Sequence, residues 1–140
     1  MRGMSRAPLL GMDKDELQQR SLAFAVAITG LTQMMRDNPG SRGPADQLSR
    51  CATSVGANYR AACRARSRAE FISKLGIVVE EIDEAVYWLE LATLSGLAAP
   101  AGTHDLLDEA QQLRAIFAAS YGTARKNYRF AQKHRRRTNP

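Results

Sequence analysis

The chain has 140 residues, of which 44% are hydrophobic, 24% charged and 6% aromatic, and its 20 basic residues outnumber the 14 acidic ones. This length and composition fit one globular domain with its own core and exclude a fibrous or disordered protein. No apolar run approaches the roughly 18 residues that span a bilayer, and no signal core is present. We therefore expect a cytoplasmic protein without membrane contact, whose excess of basic residues favours an anionic partner.

The chain begins with a predicted leader and a long helix. Residues 1–12 contain two glycines, a proline and three methionines, and we expect them to be a disordered leader. Helix one is predicted over about residues 13–37, because Asp13 and Glu16 form a capping-box-like start and apolar residues follow at alternating spacings of four and three. The segment "NPGSRGP" ends this helix, since its prolines and glycines cannot continue it.

Three more helices follow at short intervals. Helix two is predicted over about residues 44–66, with Pro44 at its first position, and helix three over 68–95 behind a capping box in the segment "SRAE". Helix four is predicted over about 104–131, which leaves a basic tail at 132–140 that is too charged to pack. Four long amphipathic helices, short loops and no strand signal predict an all-α, antiparallel up-down-up-down four-helix bundle.

The pairing of helices two and three can be predicted from their apolar stripes. If the two helices form a hairpin about Arg66, small residues on helix two face large ones on helix three, and Arg50 lies beside Asp83 or Glu84. Asn58 lies on or beside the core stripe of helix two. Trp88 lies beside the core stripe of helix three, where it is either an interface anchor or a partly buried side chain. The residues predicted to pair helices or subunits are Arg50, Asn58, Glu80, Glu81, Asp83, Glu84 and Trp88.

Recognisable catalytic and metal-binding motifs are absent from the sequence. There is no phosphate-binding glycine loop, nucleophile elbow, Cys-x-x-Cys pair or His-Glu-x-x-His motif. The carboxylates of helix three do not form a di-metal site, since such sites need Glu-x-x-His and the two histidines, His104 and His134, lie elsewhere. Cys51 and Cys63 are about 18 Å apart on one helix, beyond disulfide reach. We predict no catalytic residue, no metal and no cofactor, and hence not an enzyme.

Two segments combine basic and aromatic side chains in a way that suits nucleic acid. "SVGANYRAACRARSRAEF" holds four arginines, and "ARKNYRFAQKHRRR" interleaves basic residues with two aromatic ones. Two other interpretations stay open for the second segment: a solvated helix end whose charge complements the helix dipole, and, with less support, an amphipathic membrane anchor. The residues predicted to contact nucleic acid or a partner protein are Arg60, Arg64, Arg66, Arg68, Arg125, Lys126, Tyr128, Arg129, Phe130 and Lys133.

The segment "SVGANYRAACRARSRAEFISKLGIVVEEIDEA" resembles the signature of the small proteins encoded in intervening sequences of large-subunit ribosomal RNA genes. Relatives of that family include the accessory variability proteins of diversity-generating retroelements. The matching positions are Ser54, Val55, Asn58, Arg64 or Arg66, Ser67, Glu70, Phe71, Leu75 and Glu84. The chain departs from the family's signature at residues 59–62 and at Glu80 and Glu81. The resemblance implies a four-helix bundle, a ring of five subunits, and basic surfaces that bind nucleic acid and a protein partner.

Together these observations predict a non-enzymatic protein that forms a homopentamer and binds nucleic acid or a ribonucleoprotein. The alternative is a protein-interaction scaffold without nucleic-acid binding, in which the arginines pair with acids of a neighbouring subunit or partner protein.

Overall fold

Four long α-helices make up most of residues 12–139, the part of the chain that the computed structural model describes. They are α1 (Lys14–Met35), α2 (Arg42–Cys63), α3 (Arg68–Leu94) and α4 (Pro100–Thr138), and a 3-10 turn over Pro39–Ser41 precedes α2. Residues 12–139 contain no strand, so the all-α prediction is confirmed. Residues 1–11 of the predicted leader lie outside the described part, and its last residue, Met12, packs against the core.

Local side-chain hydrogen bonds start two of the helices. The carboxylate of Asp13 accepts a hydrogen bond from the backbone N–H of Glu16 at 2.9 Å, and the hydroxyl of Ser67 accepts one from Glu70 at 3.1 Å. Each bond satisfies a backbone donor that has no partner inside the helix. α3 ends before Gly96, whose φ of 72° lies in the left-handed region that glycine adopts without strain.

Several helix boundaries differ from the predicted ones. α2 begins at Arg42 rather than at 44. Proline is tolerated anywhere in the first turn of a helix, because the N–H groups there have no acceptor within the helix. α2 ends at Cys63 rather than near 66. α4 begins at Pro100 rather than 104, since proline suits the first helical position. α4 also continues to Thr138 rather than 131, because no proline or glycine interrupts residues 123–138 and basic side chains stabilise a helix C-terminus.

Consecutive helices pack side by side in opposite directions. α2 contacts α1 and α3, α3 contacts α4, and a smaller contact between α1 and α4 closes the bundle. Near the α1–α2 loop Arg36 pairs with Asp46. Further from this loop, the backbone of Ser21 in the first half of α1 lies against Gly56 in the second half of α2. Such pairs, in which early residues of one helix meet late residues of the next, confirm the antiparallel up-down-up-down bundle.

The core runs along the bundle axis and draws on all four helices. The apolar stripe of α3 is buried along Leu75, Val78, Ile82, Ala85, Leu89 and Ala92. The rings of Tyr59 on α2 and Phe117 on α4 pack with their centroids 5.1 Å apart. Beyond Phe117 no residue of α4 is fully buried, so its C-terminal part lies on the bundle as a mostly exposed helix.

Candidate nucleic-acid interface

One end of the bundle collects most of the basic side chains that the sequence singled out. This basic end comprises the α2–α3 turn with its flanking arginines and residues 125–137 of α4, which we call the basic segment of α4. The 39 residues of α4 make a helix about 58 Å long, against roughly 33 Å for the 22 residues of α1. α4 therefore extends past α1, which leaves much of the basic segment open to solvent.

A surface groove separates the start of α3 from the basic segment of α4. It is lined by Ser67, Arg68, Ala69, Tyr128, Ala131, Gln132 and Arg135. Two arginines face this groove and no carboxylate lines it. Two guanidinium groups on opposite walls without an acid between them form a site that favours an anion.

The four arginines near the α2–α3 turn are all exposed, but they do not form one surface. Arg60 lines a different groove, between α1 and α2. Arg66 pairs with Glu70 at 3.5 Å, one turn along the chain. Arg64 is exposed at the end of α2, and Arg68 alone among the four lines the groove against α4. The cluster seen in the sequence is thus distributed around the end of the bundle.

The two aromatic residues of the basic segment have different environments. Tyr128 faces the bundle, is partly buried, and its hydroxyl accepts a hydrogen bond from the side chain of Gln132 at 2.8 Å. Phe130 points away and is 74% exposed. One turn before Tyr128, the guanidinium of Arg125 stacks over the ring of Tyr121 at 5.3 Å, a cation–π contact. Lys126, Arg129 and Lys133 are also exposed.

Arg50 bridges two carboxylates of α3. It approaches Glu84 at 2.7 Å and Glu81 at 3.0 Å, and the hydrogen bond to Arg50 holds the pKa of Glu84 below its ordinary value. The prediction that Arg50 lies beside Glu84 is confirmed. The alternative partner, Asp83, was wrong, because it points to the other side of α3 and pairs with Arg114 of α4 at 3.1 Å.

Three other residues predicted to pair helices or subunits form no hydrogen bond or ion pair to another helix among residues 12–139. The amide of Asn58 donates to the backbone oxygen and the hydroxyl of Ser54, both on α2. The indole N–H of Trp88 lies 3.5 Å from a carboxylate oxygen of Glu84, and the ring is partly buried. Glu80 is exposed and forms no ion pair among residues 12–139.

Sequence reasoning missed the ion pair that joins the first and last helices. Arg20 of α1 donates to both carboxylate oxygens of Glu109 on α4, at 2.6 and 2.7 Å, and to Gln112 at 2.8 Å. This hydrogen bonding raises the pKa of Arg20 above its ordinary value. No local signal announces the pair, since its members are 89 residues apart.

The described residues show no metal cluster, and one of the two cysteines lies in the core. No group of three or more histidine, cysteine, aspartate or glutamate side chains is arranged to hold a metal ion between residues 12 and 139. Cys51 is buried, and burial raises the pKa of its thiol to about 12, which keeps it protonated at neutral pH. Over the same residues no helix is both long and apolar enough for a membrane crossing.

The fold and the basic end define the chain as a small, basic, all-α four-helix-bundle protein. A family model, the 23S rRNA-intervening sequence protein, matches residues 13–119. The chain belongs to this family, so the resemblance carried by α2 and α3 is confirmed. The match includes the turn arginines but stops before the basic segment of α4. Comparison with curated proteins yields no match.

A crystal structure from Bacteroides thetaiotaomicron VPI-5482, determined at 1.70 Å resolution, resembles the chain closely. It belongs to a protein of unknown function from the S23 ribosomal protein family. The two chains are 30% identical with a TM-score of 0.73, and the similarity covers 79% of this chain and 99% of the other. The similarity therefore extends over nearly the whole solved bundle.

Proposed function

We propose that this protein is a non-enzymatic, cytoplasmic homo-oligomer, a pentameric ring, that binds nucleic acid or a ribonucleoprotein through its basic end. The observation that carries the proposal is the groove between α3 and α4, which both Arg68 and Arg135 line and no acid lines. Guanidinium groups bind phosphate oxygens in pairs of hydrogen bonds, and such contacts supply most of the affinity of nucleic-acid-binding proteins.

The charge of the basic segment supports this proposal because, among residues 12–139, none of its basic side chains forms an ion pair. The last acid of the chain is Glu109, and residues 125–137 carry seven basic side chains. A solvated helix end needs only one or two such residues to complement its dipole. A cationic helix of this density attracts the phosphate backbone irrespective of sequence and releases condensed counterions when it binds.

Self-association is supported by apolar side chains on two outer faces of the bundle. α1 carries no charge between Arg20 and Arg36 and exposes Val26 by 65% and Met34 by 71%. α3 exposes Leu94 by 87%. In a bundle whose neighbours follow chain order, α1 and α3 occupy opposite corners, so these faces point apart. Contacts between two different faces are heterologous and generate a ring when the rotation closes.

The scaffold alternative, in which the arginines pair with acids of a neighbouring subunit or partner protein, has less support. Three of the four carboxylates between residues 80 and 84 already pair with Arg50 or Arg114 inside the chain. Their charge is therefore largely satisfied before any partner arrives.

Charge reversal separates the two functions. The double variant Arg68→Glu with Arg135→Glu, which reverses both arginines of the groove, should keep the native mass in light scattering and lose affinity for a labelled oligonucleotide. Arg42→Glu, at the opposite end of the bundle and equally exposed, is the control and should change neither measurement. A double variant that dissociates into monomers while the control stays assembled would support the scaffold instead. Light scattering of the native protein also tests the pentamer, which any other mass contradicts.

A further inference from the structure

The most exposed aromatic side chain among the described residues lies in the middle of the basic segment of α4. Phe130 leaves 74% of its surface in solvent, more than Tyr87 at 57% on α3. On α4 it lies opposite the side that carries Tyr121 and Tyr128, which faces α3. Phe130 therefore contributes little to the bundle, and its exposure costs hydrophobic free energy that packing does not recover.

Cationic side chains surround Phe130 on its own helix. Lys126 precedes it by four residues and Lys133 follows by three, so both lie on the same face one turn away. A shallow depression beside the ring is lined by these two lysines with Arg129 and Arg136, and by Tyr128 and Gln132 at its edge towards the bundle. No acid is present on α4 beyond Glu109 to offset these charges. The ring is thus a flat apolar surface inside a strongly positive one.

We propose that Phe130 stacks on an unpaired base of a single-stranded nucleic acid, while Lys126 and Lys133 hold the phosphates on either side of that base. This inference rests on the proposed function and specifies its ligand. Aromatic side chains between cations are the arrangement by which proteins bind single strands, because every base presents a π face and every nucleotide a phosphate. A regular duplex offers no free base face, since its bases already stack on one another.

The surroundings argue against an apolar protein partner for the same ring. The centres of protein interfaces are depleted in charged residues, above all in lysine, because each buried ammonium must lose its hydration. A protein surface that covered Phe130 would have to bury at least two lysines with it. A nucleic acid instead supplies phosphates to those lysines as the base covers the ring.

The test compares three substitutions of Phe130 in the full-length protein. The probes are a fluorescein-labelled polythymidine strand of about twenty nucleotides, longer than typical single-strand sites, and a duplex of equal length. Phe130→Ala and Phe130→Leu should each bind the single strand about 5- to 100-fold more weakly, whereas Phe130→Trp should bind it at least as well as the native protein. Duplex binding should stay unchanged in all three.

The control is Arg42→Ala, which removes an exposed side chain at the opposite end of the bundle. It should leave both affinities unchanged. Full affinity in Phe130→Leu would overturn the stacking proposal, because leucine keeps the apolar bulk and lacks the π face. Salt-dependent binding of both probes by the native protein, with no effect of Phe130→Ala, would overturn stacking and leave the proposed function standing. Binding of neither probe would overturn both.

Discussion

Replacing Arg68 and Arg135 together by alanine tests whether the groove between α3 and α4 holds phosphate. Both side chains line this groove and are exposed, so their removal should leave the core intact. The logarithm of the affinity falls linearly with the logarithm of the salt concentration. Each phosphate that a protein cation neutralises adds about 0.7 to the steepness of this slope on a single strand and about 0.9 on a duplex. Loss of two contacts should therefore reduce the slope of log affinity against log salt by about 1.4 to 1.8.

This change has a measurable size. Between about 50 and 200 mM salt, the native protein should lose roughly tenfold more affinity than the double variant does. Fluorescence anisotropy with a labelled oligonucleotide, repeated at several salt concentrations, gives both slopes, and circular dichroism checks that the variant is folded. Arg42→Ala, at the opposite end of the bundle, is the control and should keep the native slope. An unchanged slope in the double variant would refute the groove as a phosphate site.

Three further substitutions test the stability of the fold. Gly122→Ala should stabilise the protein by about 1 kcal/mol, raising the Tm by roughly 3 °C, because an added Cβ meets nothing within 4 Å and alanine favours helix. Gly76→Ala should raise the stability less, since the added Cβ would lie 3.3 Å from the ring of Tyr121. Equal gains in stability for the two variants, measured by calorimetry, would contradict this packing. Arg50→Met should cost about 0.5 to 1 kcal/mol at pH 7 in urea unfolding. Because the folded pKa of Glu84 lies below its ordinary value of 4.5, this difference should begin to fall near pH 4.5 and vanish once the pH is below the folded pKa. A difference independent of pH would exclude the ion pair as its cause.

The helices could be recognised in the sequence because their signals are local. Alternating spacings of four and three mark one face of a helix wherever it lies, and the cap at Ser67 depends on residues within a single turn. The stripe of α3 from Leu75 to Ala92 repeats at these spacings and is buried in the structure. The end of α4 was misjudged because charge was taken as a stop signal, whereas a helix ends only where its backbone conformation is interrupted.

Contacts between neighbouring helices were partly predictable. Aligning the stripes of α2 and α3 placed Arg50 at the height of Glu84, because a hairpin fixes register once both buried faces are known. The same alignment could not choose between Glu84 and Asp83 as the partner of Arg50. Successive residues on a helix point about 100° apart, and the position of α4 beside α3 was unknown. Asp83 in fact faces Arg114.

The amino-acid order alone was enough for the all-α class, the number of helices, the core stripe and the basic character of α4, because each depends on periodicity or composition along a short stretch. It could not indicate that Arg68 and Arg135 share a groove, that Arg60 lies on another side, or that Phe130 points away from the bundle while Tyr128 faces it. Those relations depend on how each helix is rotated about its own axis. That rotation is set by the packing of all four helices against one another, and so by contacts between residues far apart in the chain.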